Sequence, residues 1–366
     1  MSLSARLVYD GGEAVYIPSE MGMPRDNQMQ GTHAEQLCEL AGRVCYDSLG
    51  KGRSSEEYHR HILEVNHTST LEHFNFTVEF TNSSKSNDCD GVSLGCLNRK
   101  GVYLEKKKGS FGEKRLVTLN LRSLLEWKKY TNEHNSITEE HSDRIFKTLS
   151  YFGNQIAPRI IQFDYDFEPK NSRLKINEFS ENQNFISMFI CGSRGFSHEM
   201  VRHRYAMSQR STRYVDESES EWINHPLIVQ YMNDYRQSGT EQMGNINRIR
   251  SSIDNCRDTY EFLVNDLNEF LIEKNIDKFT ARKQARGAAR GYLGNALATE
   301  MIFTAPVSGW KDMLRQRCTA VADSEIRMIF NLILTELQRS RYGYFFSKMY
   351  LIPSPDGIGQ VLKEEE

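Results

Sequence analysis

The sequence contains no run approaching the ~18 consecutive apolar residues of a membrane span, so no transmembrane helix and no membrane partner is expected. The N-terminal stretch MSLSARLVYDGGEAVYIP has no charged start leading into an apolar core, and no secretory signal is expected from it. Cysteine is sparse in a particular sense: the seven residues form no Cys-x-x-Cys pair. Cys89 and Cys96 come nearest, but no His or Cys follows them at metal-ligand spacing, and no metal site is expected. Reduced thiols in a cytoplasmic compartment are the simplest reading. Net charge is also small, −3 over 366 residues, which argues against a surface built to hold nucleic acid. The positive charge is gathered locally, and that points to a small anionic ligand.

What is present reads as a soluble globular composition. The length exceeds one small core and predicts one large domain or a domain carrying an insertion. Apolar spacing predicts a helix over 33–48. A second helix is expected over roughly 54–65, with Ser54 as N-cap and Glu57 three residues on. The run Phe74 to Phe80 is strand-like, because aromatic and β-branched residues dominate it. Residues 81–110 are polar and read as loop. They open a segment ending near Asn182 that is too long to lack structure of its own. Within it, Leu116 to Tyr130 predicts a strand turning into a helix, and a further helix is expected from Ser136, with Glu139 completing a capping box. Phe185 to Cys191 is the next strand. The C-terminal third predicts helices near 246–272, 278–292, 308–317 and 322–341.

The densest chemistry lies between Ser193 and Tyr214, where five arginines fall within twenty-one residues. Such a cluster is either solvated or bound to anions. Ser, Gln, His and Tyr are interleaved there in place of acids at i+4, which favours the anion reading. Arg202 and Arg204 are two apart and would point to different sides of a helix. Ser211 and Arg213, also two apart, share one side of an extended segment. A hydroxyl beside a forked guanidinium suits a phosphate.

The run Arg202-His203-Arg204, followed by Ser208-Gln-x-Ser211-x-Arg213-Tyr214, resembles the signature of the flavin-dependent thymidylate synthases. His61 to His73, with His67-x-Ser69-x-Leu-Glu72-His73, is similar to the family's GHxSxxEH segment. Lys283 to Arg290, Met313 to Arg317 and Glu325-Ile-Arg327 resemble its C-terminal segments, in family order. The resemblance implies an α+β fold of the flavin-dependent thymidylate synthase type, a mixed sheet packed by helices, with an inserted α/β segment. The strands near 74–80 and 185–191 would build that sheet. The domain would comprise 1–80 and 183–350, with the insertion at 81–182 and a C-terminal tail at 351–366.

The resemblance implies reductive methylation of dUMP to dTMP. Methylenetetrahydrofolate would be the carbon donor, FAD the flavin and NADPH the reductant. Glu199, Met200, Arg202, Gln209, Ser211, Thr212, Arg213 and Arg290 would line the dUMP site, with Arg317 facing the uracil as the catalytic electrostatic stabiliser. Ser69, Arg202, His203, Arg204 and Gln209 would contact FAD, together with Ser308 and Asp312. The family uses no cysteine nucleophile, so Cys318 would be a small semi-buried residue. His67 and His73, at a helix end, fit caps or core residues as well as a site. The implied partners are nucleotide and folate substrates in a homotetramer with active sites at subunit interfaces.

Three departures stand out. Arg204 and Ser211 are one residue closer than the family norm. Pro306-Val-Ser308 replaces an Asn-x-Arg that contacts flavin, and Asp312 replaces an Asn. The insertion echoes the missing element in Asn120-x-Arg122, so either these two residues reach the flavin or Asn120 is an ordinary N-cap and Arg122 is solvated. Two rival functions share the scaffold: transfer of a different one-carbon unit or use of another pyrimidine nucleotide, and a non-catalytic nucleotide-binding protein without flavin.

Overall fold

A computed structural model describes residues 2–9, 29–31, 33–81, 102–109, 112–123, 126, 180–238 and 243–365. The strands are β1 (Ser4–Tyr9), β2 (Asn75–Thr81), β3 (Val102–Gly109), β4 (Gly112–Asn120), β5 (Phe185–Ser193), β6 (Ala206–Gln209), β7 (Ala298–Pro306), β8 (Met349–Pro353) and β9 (Gln360–Glu364). The helices are α1 (His33–Tyr46), α2 (Ser55–Glu64), α3 (Arg194–Met200), α4 (Pro226–Ser238), α5 (Met243–Glu273), α6 (Lys278–Ala289), α7 (Val307–Arg317) and α8 (Ser324–Arg339).

The central sheet has the order β1-β5-β7-β6. All nine residues of β5 are buried, because helices cover both faces. Side chains alternate along a strand, so Ile186, Met188 and Ile190 join Trp310 and Leu314 of α7 and Phe330 and Ile333 of α8. Phe189, on the other face, meets Leu37, Leu40, Ala41 and Val44 of α1. Helix α2 begins as its sequence predicts: Ser54 Oγ accepts from Glu57 N–H at 3.3 Å and Glu57 Oε2 accepts from Ser54 N–H at 2.9 Å.

The expected strands, the expected helices outside the insertion and the α+β class are present, but three expectations are corrected. Every pairing among the described strands is antiparallel, whereas a mixed sheet was expected; residue periodicity carries no strand direction. The strand after Phe74 does not join β5. It forms a separate sheet of order β2-β4-β3 with the insertion, in register from Asn75↔Asn120 to Thr81↔Lys114. Composition specifies an extended strand without specifying its partner. Third, β3 lies within the stretch read as loop. Among the described strands it lies at the edge of its sheet, and its sequence carries Lys106, Lys107 and Lys108, residues that mask a strand signal. The helix expected from Ser136 lies outside the described residues.

His73 fastens the turn before β2 to the central sheet. It is 1% exposed, with Nδ1 2.8 Å from Thr304 Oγ1 and Nε2 3.0 Å from Ser208 Oγ. Burial holds its pKa down at about 3, so the ring is neutral. Beyond α8, β8 and β9 pair as a hairpin that packs back on the core, with Leu362 N–H donating to Cys318 O at 2.8 Å. Arg327, fully buried, donates to the carbonyls of Thr319 and Ala320 and to Asp356 ahead of β9. No described helix is long and apolar enough to cross a membrane.

Candidate functional site

Helix α3 leaves β5 at Ser193, whose Oγ caps it by accepting from Phe196 N–H at 3.1 Å. A 3-10 turn, Val201–His203, follows and ends at Arg204 with φ 56°. That left-handed residue reverses the chain into β6. The reversal leaves Arg202 and Arg204 exposed on the surface.

Arg317, the last residue of α7, reaches back to this turn. Its Nε donates to His203 Nε2 at 2.9 Å and its Nη1 donates to Glu199 Oε2 at 2.7 Å. His203 Nε2 therefore carries no proton, and the ring proton sits on Nδ1. Burial, reinforced by the Arg317 charge, lowers the His203 pKa to about 4. Nη2 of Arg317 makes no hydrogen bond among the described residues. The guanidinium is thus fixed on two sides and open on the third.

Gln209 Nε2 donates to Ser197 Oγ at 2.9 Å and Thr299 Oγ1 at 3.1 Å, locking it between α3 and β7. After β6, Ser211 N–H donates to Cys45 O at 2.8 Å, while Ser211 O accepts from Tyr214 N–H and Val215 N–H. Tyr214 packs edge-on to Tyr46, 5.0 Å between centroids, and Lys283 Nζ lies 4.7 Å from the Tyr214 ring centre. Thr212 is buried. Arg213 is exposed and passes Gly287 of α6, its Cγ 3.9 Å from where a Cβ would stand. Arg290 follows immediately after the same helix and is exposed.

The arginines of this region divide into two kinds. Arg210 faces Asp47, Glu217 and Glu300 at 3.4, 3.5 and 3.9 Å, and Arg286 bonds Asp216 at 2.7 Å. Arg202, Arg204, Arg213 and Arg290 have no ion-pair partner among the described residues. The second kind is open to an anionic ligand.

Other predicted residues lie elsewhere. Met200 is fully buried in the core, so its side chain presents no binding surface. Ser69 is exposed on the 3-10 turn Thr68–Glu72. Asn120 acts as the N-cap, its Oδ1 accepting from Ser123 N–H at 2.8 Å. Arg122 donates to Glu72 at 2.5 Å and Glu126 at 3.0 Å; these carboxylates, not the Arg202–Arg204 turn, engage it. Ser308 Oγ donates to Asn182 Oδ1 at 2.5 Å, and the exposed Asp312 accepts from Arg315 at 3.3 Å. Tyr205 lies over the first turn of α7, where a Cβ on Gly309 would stand 2.6 Å from its hydroxyl. Cys318 is 1% exposed, and burial pushes its thiol up to about 12.

Sequence reasoning left Arg194 without a role, although it stands within the arginine-rich segment. Its guanidinium donates to Thr212 Oγ1 at 3.5 Å. Only tertiary placement reveals this contact, eighteen residues apart in sequence.

Comparison with known proteins adds an independent finding. The family described as thymidylate synthase complementing protein matches residues 28–86 and 181–340, more than half of the chain. A flavin-dependent thymidylate synthase of Mycolicibacterium gilvum is 33% identical over 146 residues, covering 39% of this chain and 54% of that protein. Similar proteins of the same name come from Corynebacterium efficiens, 35% identical over 155 residues (42% and 57% covered), and Corynebacterium aurimucosum, 30% over 173 residues (47% and 64%). The chain spans 54% to 64% of the length of these curated relatives.

Proposed function

The chain belongs to the thymidylate synthase complementing protein family, and from that membership we propose that it is a flavin-dependent thymidylate synthase. It converts dUMP to dTMP, taking the carbon from methylenetetrahydrofolate, with FAD reduced by NADPH. The observation that carries the reading is the fixed Arg317, held by Glu199 and His203 next to arginines that lack acidic partners. A guanidinium fixed before the reaction stabilises charge developing on a pyrimidine without reorganising at that moment. Arg317 does so through its free Nη2. Ser211, Thr212, Arg213 and Arg290 hold the 5′-phosphate, and Arg202 and Gln209 the rest of the nucleotide.

The fit of the residues to FAD divides in two. Arg202 and Arg204, unpaired and exposed beside His203, suit a pyrophosphate, and Ser69 offers a free hydroxyl. Ser308 and Asp312 are engaged by Asn182 and Arg315, so the start of α7 offers less to a flavin than the Arg202–Arg204 turn does. Bound FAD supplies the hydride; the chain's own part is placement and charge. The reading includes assembly as a homotetramer, as the family resemblance implies.

The purified protein is expected to be yellow and to release tritium from C5-labelled dUMP when given folate donor, NADPH and FAD. Product mass identifies the carbon unit, and a hydroxymethyl product or a colourless, inert protein would replace this reading. Cys318→Ala should keep tritium release within about twofold of the parent, because a buried protonated thiol is a poor nucleophile. Abolished turnover in a folded, ligand-binding Cys318→Ala protein would restore a thiol mechanism.

A further inference from the structure

The chain continues past the family match, which ends at residue 340, into a hairpin that folds back on the end of α7. Ser354-Pro-Asp-Gly-Ile-Gly359 turns β8 into β9, with Gly357 and Gly359 at φ 73° and 66°, left-handed values that glycine adopts without strain. Gly359 also lies tight against α8, where an added Cβ would stand 3.0 Å from Met328 Cγ. One turn of α8 further on, the buried Asn331 grips Gln360 at both backbone groups. Its Oδ1 accepts from Gln360 N–H at 2.8 Å and its Nδ2 donates to Gln360 O at 3.0 Å. A side-chain amide used in this way offers the donor and acceptor of a neighbouring strand, and it fixes where β9 sits.

β9 and its turn then hold the chain on both sides of Arg317. Glu364 accepts from Arg315, two residues before it, at 2.9 and 3.4 Å. Leu362 N–H donates to the carbonyl of Cys318, one residue after it, at 2.8 Å. The fully buried Arg327 donates to the carbonyls of Thr319 and Ala320 and ties them to Asp356 in the hairpin turn. The last carbonyls of a helix have no partner within it, so outside donors decide how α7 ends. Arg317 is its last residue, and from there its side chain reaches Glu199 and His203.

We propose that the C-terminal hairpin is a positioning device for the reaction centre, with Asn331 and Asp356 as positioning residues. β9 sets the backbone from Arg315 to Ala320, and through it the reach of the Arg317 guanidinium. The catalytic meaning of that reach rests on the thymidylate synthase reading, whereas the hold on Arg317 does not. Misplacing a group at the chemistry by about 1 Å costs up to ~10²-fold in rate, and a supporting shell prevents it. The hold runs through the Cys318 carbonyl, so a tolerated Cys318→Ala is compatible with it.

The test combines tritium release from C5-labelled dUMP with imidazole ¹⁵N NMR of the full chain at pH 7. Arg317 Nε donates to His203 Nε2, so the parent shows His203 with a protonated Nδ1 and a bare Nε2; His203→Gln identifies the signal. Asn331→Ala and Asp356→Asn are expected to lower kcat roughly 10-fold, leave dUMP affinity within about threefold, and mix the two His203 tautomers. Should Asn331→Ala fail to fold, Asp356→Asn decides, because Asp356 stands at the surface. Gln338→Ala is the comparator. It frees the start of the hairpin, where Gln338 Nε2 donates to the carbonyls of Phe346 and Met349 at 3.2 and 2.7 Å, without touching the end of α7. It should lower Tm and leave kcat and the His203 signal at parental values. A fall in kcat with an unchanged His203 signal, or no change in either, would overturn the proposal and leave the proposed function intact. Mixed His203 tautomers in variants of a parent that releases no tritium would keep the hold on Arg317 and overturn the thymidylate synthase reading.

Discussion

Replacing Arg317 by alanine is expected to lower dUMP turnover by roughly 10²-fold or more while the fold persists, the usual cost of losing one preorganised electrostatic donor. The size of the effect follows from how the side chain is held. Nε and Nη1 are committed to His203 and Glu199, so Nη2 would meet a ligand without first giving up a bond. Arg317→Lys keeps the charge but has a single ammonium to divide between two fixed partners and the substrate. Its turnover should fall between the parent and the alanine variant. The measurement is tritium release under saturating dUMP, with dUMP affinity determined separately. Near-normal turnover in Arg317→Ala would remove Arg317 from the chemistry altogether.

The second large effect is on stability. His73→Ala should cost roughly 3 kcal/mol or more, because it opens a cavity and strips buried hydroxyls of their partner. Thr304 would retain only Ser187, 2.7 Å away, and Ser208 would lose the imidazole. The same residue predicts a pH dependence. Its folded pKa, about 3, lies below the ordinary 6.5, so between these values the unfolded chain binds the extra proton. Stability is then fully present above about pH 6.5 and declines as pH falls towards 3. His203 acts in the same direction, with its folded value near 4. Urea midpoints from pH 7 to pH 4 measure this directly, and His73→Gln should flatten the curve. An unchanged slope in that variant would show that the acid sensitivity arises elsewhere.

What could be read from the sequence was what local pattern decides. The Ser54–Glu57 capping box, the buried strand at 185–191 and the long amphipathic α5 each have their cause within a few neighbouring residues. The density of arginines was legible, but the sorting of its members into paired and unpaired was not. Arg210 sits among residues that offer it no acid at i+4, yet Asp47, Glu217 and Glu300 reach it from distant positions. Arg286 shares a helix face with Arg282 and Arg290, and Asp216, seventy residues upstream, pairs it. Arg194 matches no motif, and only folding brings it to Thr212. The echo in Asn120 and Arg122 is accounted for by a helix cap and two carboxylates, because short polar patterns recur at helix starts for capping reasons alone.

The central sheet is assembled from segments far apart in sequence. β1 pairs with β5 across some 180 residues, His73 meets Thr304 at a separation of 231, and Leu7 N–H donates to Glu336 at a separation of 329. Such contacts form late, since loop-closure entropy opposes them until both partners are present, and folding is correspondingly slow. A nascent chain that has emerged through β6 but not β7 leaves one edge of β5 open. β6 then has no strand partner among the described strands, because β7 bridges the two. The face of β5 that α7 and α8 will cover remains bare for the time needed to synthesise more than a hundred further residues. During that interval the chain is a substrate for chaperones and prone to edge-to-edge aggregation.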